Sequence, residues 1–322
     1  IPGLRYDFFP VVPGAAVAPE QIGDYDAVIT LRPRFTAASL VGVNRLAIIA
    51  RWGAGYDVID VPACTAADVL LAITPEAVGR PVAEAILTLF LALAKKLPLK
   101  DKLARTGRWD LKAQASGLGL RGKTVGSVGL GNIATEMFRL LQPFDLGRRL
   151  AHDPFVSPSA AARQGVELVD LDVLFRESDF IAINCPLNED TRGLINADLL
   201  TLMKPTAYLV NTARGAIVNQ DDLLAALQDG RIAGAGLDVF AQEPLPPDSP
   251  LTRLDNVILS PHGMAWTDDL YRGNSVGVCE NILTVLQGRV PRHTVNREVA
   301  ERPGFQAKLR ALRERWEALA AL

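Results

Sequence analysis

Apolar and polar positions follow two rhythms along this chain. Ala27-Val-Ile-Thr30, Leu46-Ala-Ile-Ile-Ala50 and Val69-Leu-Leu-Ala-Ile73 are unbroken apolar runs, too continuous for half-exposed strands, and read as parallel strands buried on both faces. Polar, helix-like segments separate them, which predicts a small α/β domain. Pro81 is suited to opening a long helix that covers Ala83 to Leu97, and Pro98 interrupts it. From Thr124 the pattern is more regular, with strands expected at Thr124–Val128, Arg149–His152, Phe180–Asn184, Ala207–Asn211, Gly234–Asp238 and Val257–Leu259, separated mostly by helices. One helix shows its punctuation: Asn219 as N-cap, Asp221 and Asp222 in the first turn, Gly230 past the end. Another runs from about Thr267 to Gln287. In the tail, Leu309, Leu312, Trp316 and Leu319 fall at helical spacing, a stripe suited to packing. A doubly wound parallel sheet is the economical reading of the second half.

A length of 322 residues favours two domains over one core. Pro98 marks the crossing and Pro291 a second linker, after which the tail either returns to the first domain or forms its own element. The net charge of −2 shows no basic excess, so neither nucleic acid nor an anionic membrane is an expected partner. Cys64, Cys185 and Cys279 are widely separated, which favours a reduced, cytoplasmic setting and supports neither disulfides nor a metal site. Pro2, Arg5 and Asp7 interrupt any signal peptide, and the apolar helix ending at Lys95-Lys96 is shorter than a membrane span.

The clearest chemical signal is Lys123 to Asp153. Val125 and Val128 lead into Gly129-Leu-Gly131, Ala134 takes the third small position, and Asp153 follows about 20 residues later at the end of the next strand. Gly129 permits the tight turn, Gly131 lets the backbone approach a pyrophosphate, and Ala134 lets helix and strand pack closely. The helix opening at Asn132 offers unpaired N–H groups to phosphates. Asp153 suits the adenosine ribose 2′-hydroxyl and repels a 2′-phosphate, so NAD is expected over NADP.

Three further residues stand just after successive expected strands: Arg214, Glu243 and His262. In a parallel sheet those ends share the edge that carries the glycine turn. The Arg214 fork matches a carboxylate, His262 can exchange a proton near neutral pH, and Glu243 can hold the imidazole in one tautomer. Taken singly, each has a plain reading as a loop or surface residue; their joint placement argues otherwise. Arg51-Trp-Gly-Ala-Gly-Tyr-Asp57, at the end of an earlier strand, is a second glycine turn where open α/β sheets place ligands, although a structural turn explains Gly53 and Gly55 too.

Together with Gly236-Leu-Asp-Val-Phe240, Asn211-Thr-Ala-Arg-Gly215, Ser260-Pro-His262 and Pro186-Leu-Asn-Glu-Asp-Thr-Arg-Gly193, these segments resemble the D-isomer-specific 2-hydroxyacid dehydrogenases from about Ile29 to Pro291. The resemblance implies a Rossmann cofactor domain, 98–290, inserted into a flavodoxin-like substrate domain, 1–97 plus 291–322. It implies Arg214, Glu243 and His262 as catalytic residues, with Arg51, Trp52, Gly53 and Ala54 at the substrate. Cofactor contacts would be Thr74, Gly129, Gly131, Asn132, Ile133, Asp153, Cys185, Pro186, Thr191, Thr212, Ala213, Asp238, Gly263, Met264 and Ala265. The expected reaction moves a hydride between NAD and a small 2-hydroxy or 2-oxo acid, in a homodimer. Arg51 resembles members acting on phosphorylated or hydroxylated three-carbon acids, and Trp266 departs from the family's small-residue turn. A dinucleotide-sensing corepressor and a formate dehydrogenase, which pairs its histidine with glutamine, are the rival readings.

Overall fold

The apolar runs become strands in two parallel sheets of a computed structural model that describes residues 4–10 and 14–320. In the smaller sheet, β1 (Ala27–Thr30), β2 (Ile48–Arg51) and β3 (Leu70–Ala72) lie in that order. Every position of β2 and β3 is buried. Side chains alternate between the two faces. Ile48, Ala50, Leu70 and Ala72 pack with Val278 and Val285 of helix Asp268–Leu286 and with Phe305, Leu309 and Leu312 of helix Pro303–Ala320. Ile49 and Leu71 pack on the opposite side with Phe35, Leu40 and Ile59. The apolar stripe of the tail stops there, since Leu319 is exposed.

The larger sheet holds β4 (Thr124–Val128), β5 (Arg148–His152), β6 (Glu167–Leu168), β7 (Phe180–Ile183), β8 (Tyr208–Asn211), β9 (Gly234–Leu237) and β10 (Val257–Leu259), ordered β10-β9-β8-β7-β4-β5-β6. The chain winds outward from β4 to β6, returns to β7 and winds out the other way, so strand order reverses between β4 and β7. That switch point is where a doubly wound sheet opens a crevice for a ligand. Ile181, Ile183 and Leu209 join one core layer, while Phe180, Ala182 and Val210 join the other. β6 was not expected: two residues carry no readable period. The punctuated helix, Gln220–Gln228, forms as expected, with the Asn219 side chain accepting from the Asp221 and Asp222 N–H groups.

The long apolar helix spans Pro75–Ala94, with Pro81 inside it. Pro75 rather than Pro81 takes the opening position, because a proline in the second turn forfeits one N–H and the flanking turns hold. The helix ends at Ala94, Lys96 turns left-handed (φ 50), and a separate helix, Leu97–Arg105, follows. At 20 residues it is, contrary to expectation, long and apolar enough to cross a membrane by length and composition. Here Ile86, Leu89 and Phe90 are buried with Val125, Met137 and Phe180.

Two compact units result, one of residues up to Val78 with those from Thr267, the other Gly79–Trp266. The divisions therefore fall away from the prolines at 98 and 291. The Pro75–Ala94 helix gives its apolar face to the larger sheet's core, and Asp268–Leu286 gives its face to the smaller one.

Candidate active site

Strand register sets the site. His152 lies opposite Val128, Val128 opposite Ile183, Ile183 opposite Asn211, Asn211 opposite Leu237, and Leu237 opposite Leu259. Six parallel strands thus end on a single row. The residues that follow them are Asp153, Gly129, Cys185, Thr212 to Arg214, Asp238 to Glu243, and Ser260 to His262. Most of the residues picked out by sequence in this unit leave the sheet at this edge.

At the switch point, Gly129 has φ 95, and a Cβ there would stand 2.9 Å from the Asn184 carbonyl carbon and the Cys185 nitrogen. Only glycine fits. A Cβ at Gly131, by contrast, would meet nothing within 4 Å, so that side of the turn is open for a ligand. Gly131 is the N-cap of helix Asn132–Leu140 and brings no capping side chain, leaving first-turn N–H groups available to phosphate oxygens. Ala134 is fully buried between helix and sheet. Asp153 accepts from the N–H of Leu130 at 2.8 Å and of Phe155 at 2.9 Å, which ties the turn to the end of β5. Each carboxylate oxygen keeps a lone pair for a sugar hydroxyl. These groups fit a dinucleotide. Burial pushes the Cys185 thiol up to about 11, which suits packing rather than redox chemistry. Thr191 closes the Pro186 loop, donating to the Pro186 carbonyl at 2.6 Å.

The Arg214 loop is held by a residue the sequence reading did not single out. Asn211, 1% exposed, donates to the Arg214 carbonyl at 2.9 Å and accepts from the Ala213 N–H at 3.0 Å. Its place at a strand end was the available signal. Gly215 is required next: a Cβ there would come within 1.9 Å of the Phe240 carbonyl carbon, so this loop and the one leading to Glu243 run in backbone contact.

His262 Nδ1 lies 2.7 Å from Glu243 Oε2, and Glu243 Oε1 accepts from the Phe240 N–H at 3.1 Å. His262 has a left-handed backbone, φ 53. The following turn is clamped by buried Asp238, whose Oδ1 accepts from the Gly263 N–H at 3.0 Å and the Met264 N–H at 3.1 Å. Burial opposes ionisation of Glu243, but hydrogen bonds from His262 and the Phe240 N–H, with the charges of His262 and Arg214, outweigh it and hold the carboxyl below its ordinary 4.5. An ionised Glu243 only accepts, so Nδ1 carries a proton and Nε2 is left for chemistry.

A lowered folded-state pKa contributes stability above the unfolded value and loses it as pH falls through the folded one. Thermal melts should therefore show wild type gaining on Glu243→Gln above pH 4.5 and losing that advantage in more acid buffer; parallel curves would count against the shift.

In the smaller unit, buried Gly53 has φ 122 and gives its N–H to Thr74 Oγ1 at 2.8 Å. Thr74 Oγ1 in turn donates to Asn274 Oδ1 at 2.5 Å. The Thr74 hydroxyl thus braces the turn. Asn274, far away in sequence, gave no advance signal. Arg51 is 9% exposed and donates to the Trp52 carbonyl, while Trp52 donates to Ser275 Oγ at 3.2 Å and tilts against Tyr271 with centroids 5.3 Å apart.

Comparison with known proteins agrees with this geometry. The family model described as "D-isomer specific 2-hydroxyacid dehydrogenase, NAD binding domain" matches residues 87–263. A glyoxylate reductase of Korarchaeum cryptofilum is 36% identical over 300 residues, 91% of this chain and 90% of that one. A D-3-phosphoglycerate dehydrogenase of Synechocystis is 39% identical over 276 residues, 85% of this chain but 49% of the relative, so the chain spans about half of that protein. The solved D-lactate dehydrogenase of Aquifex aeolicus, complexed with NAD and lactic acid, superposes with a TM-score of 0.79 at 26% identity, covering 87% of this chain and 89% of that one. With the glycine turn, the row of strand ends and these matches in agreement, the chain belongs to the NAD-dependent D-isomer specific 2-hydroxyacid dehydrogenases.

Proposed function

We propose that this dehydrogenase interconverts a small 2-oxo acid and its D-2-hydroxy acid, of the glyoxylate, hydroxypyruvate or phosphohydroxypyruvate kind, with Arg214, Glu243 and His262 as its catalytic residues. The observation that carries the reading is the His262–Glu243 pair, 2.7 Å apart, on the sheet edge that also bears Arg214 and the Gly129–Gly131 turn. The nicotinamide of NAD supplies or accepts the hydride. Arg214 anchors the acid's carboxylate with its planar fork. In the reducing direction His262 gives its Nε2 proton to the carbonyl oxygen, and in reverse it takes that proton back. Glu243 faces the imidazolium form and keeps Nδ1 protonated throughout. NADH oxidation with glyoxylate, hydroxypyruvate, phosphohydroxypyruvate, pyruvate and bulkier 2-oxo acids tests the reading; turnover of none of them defeats it.

Asp153 carries the preference for NAD. Asp153→Ser should raise kcat/KM for NADPH relative to NADH, and an unchanged ratio would show that the ribose is read elsewhere.

The same reading gives a homodimer in the cytoplasm. Helix Leu97–Arg105 buries none of its residues, and Leu97 and Trp109 are 58% and 68% exposed, an apolar surface suited to a second copy. The three thiols are free, which suits a reducing compartment.

A further inference from the structure

Beyond Thr124, β4 carries a single polar side chain, Ser127, and it is fully buried. Its Oγ donates to the Gly129 carbonyl at 2.6 Å and accepts from Asn184 Nδ2 at 2.9 Å. Asn184 follows β7, the strand across the switch point from β4. Its Oδ1 is buried and meets no hydrogen-bond donor among the described residues. An alanine or valine at 127 would fill the strand without desolvating a hydroxyl, and an orphaned buried oxygen costs free energy. A polar pair kept against that cost, inside an apolar strand, points to a task beyond packing.

The turn that follows shows what the pair holds. The peptide joining Gly129 and Leu130 is gripped at both ends: its oxygen takes the Ser127 proton, and its N–H goes to Asp153 Oδ2 at 2.8 Å. Gly129, at φ 95, otherwise leaves this peptide free to flip. A flip exchanges the directions of C=O and N–H, which would set an oxygen against the phosphates that the next N–H groups receive. A hydroxyl that accepts one hydrogen bond donates the other more strongly, so Asn184 tightens the Ser127 grip.

We infer that Ser127 and Asn184 are positioning residues for the cofactor, locking the Gly129–Leu130 peptide in the orientation that admits a pyrophosphate. They act through the backbone of the turn. The orphaned Oδ1 of Asn184 is what remains once the amide has aimed its nitrogen at Ser127. The inference rests on the dinucleotide reading of the Gly129–Gly131 turn and adds the residues that set its shape.

Fluorescence titration with NADH, displacement by ADP and by adenosine, and melting curves test it. Ser127→Ala should weaken NADH and ADP by about three- to tenfold, the loss of one buried hydrogen bond, while adenosine, which lacks phosphates, stays within about twofold of wild type. Ser127→Thr, which returns the hydroxyl, should recover most of that affinity. Asn184→Ala should weaken NADH in the same sense with little change in melting temperature, because the orphaned oxygen goes with the amide; it decides the matter if Ser127→Ala does not fold. Unchanged NADH affinity in a folded variant, an equal loss for adenosine, or no recovery in Ser127→Thr overturns the inference. Gly131→Val separates this from the reading beneath it. A Cβ there stands clear of the protein, so the variant should fold and lose NADH; if it binds NADH as wild type does, the dinucleotide reading of the turn fails, and the inference with it.

Discussion

His262→Ala is expected to lower kcat for 2-oxo acid reduction by about 100- to 10,000-fold, the range general acid catalysis supplies, while leaving NADH affinity near that of wild type. The two halves of this result come from different parts of the row. His262 sits beyond β10, held by Glu243 at 2.7 Å, whereas the glycine turn and Asp153 sit beyond β4 and β5. Stopped-flow NADH titration beside steady-state turnover separates them. A variant that keeps near-normal turnover would remove His262 as the acid, and one that also loses NADH would show that the residue is structural.

Arg214→Lys should raise KM for the acid by roughly 10- to 100-fold, the loss of one charge-assisted hydrogen bond from a fork that lysine cannot reproduce. The backbone beneath it stays in place, because Asn211 grips the Arg214 carbonyl and Gly215 packs against Phe240. The charge is kept while the planar geometry is lost, so the effect should fall mainly on KM. An unchanged KM would take Arg214 out of the acid site.

Much of this site was legible in sequence because parallel strands leave a sheet at one edge. Once Val128, Asn211, Leu237 and Leu259 are read as strand ends, Gly129, Arg214, Asp238 and His262 must share that edge. The supporting contacts were less legible for the opposite reason. Asn274 meets Thr74 only after helix Asp268–Leu286 packs on the smaller sheet, and no local pattern encodes that meeting. The division at Val78 and Trp266 depends on which core each long helix joins, which amphipathicity alone leaves open. Pro81 misled because its ring suits a helix start, yet Pro75 also met that condition and came first. β6 is too short to show a period.

The Asp238 clamp has a consequence for how such an enzyme can change its substrate. It grips main-chain N–H groups of residues 263 and 264, so the mounting of His262 is blind to which side chains those positions carry. A Cβ at Gly263 would come no closer than 3.8 Å to its neighbours, and Met264 is only partly buried. Mutational drift can therefore remodel the ground beside the histidine while the histidine itself stays put.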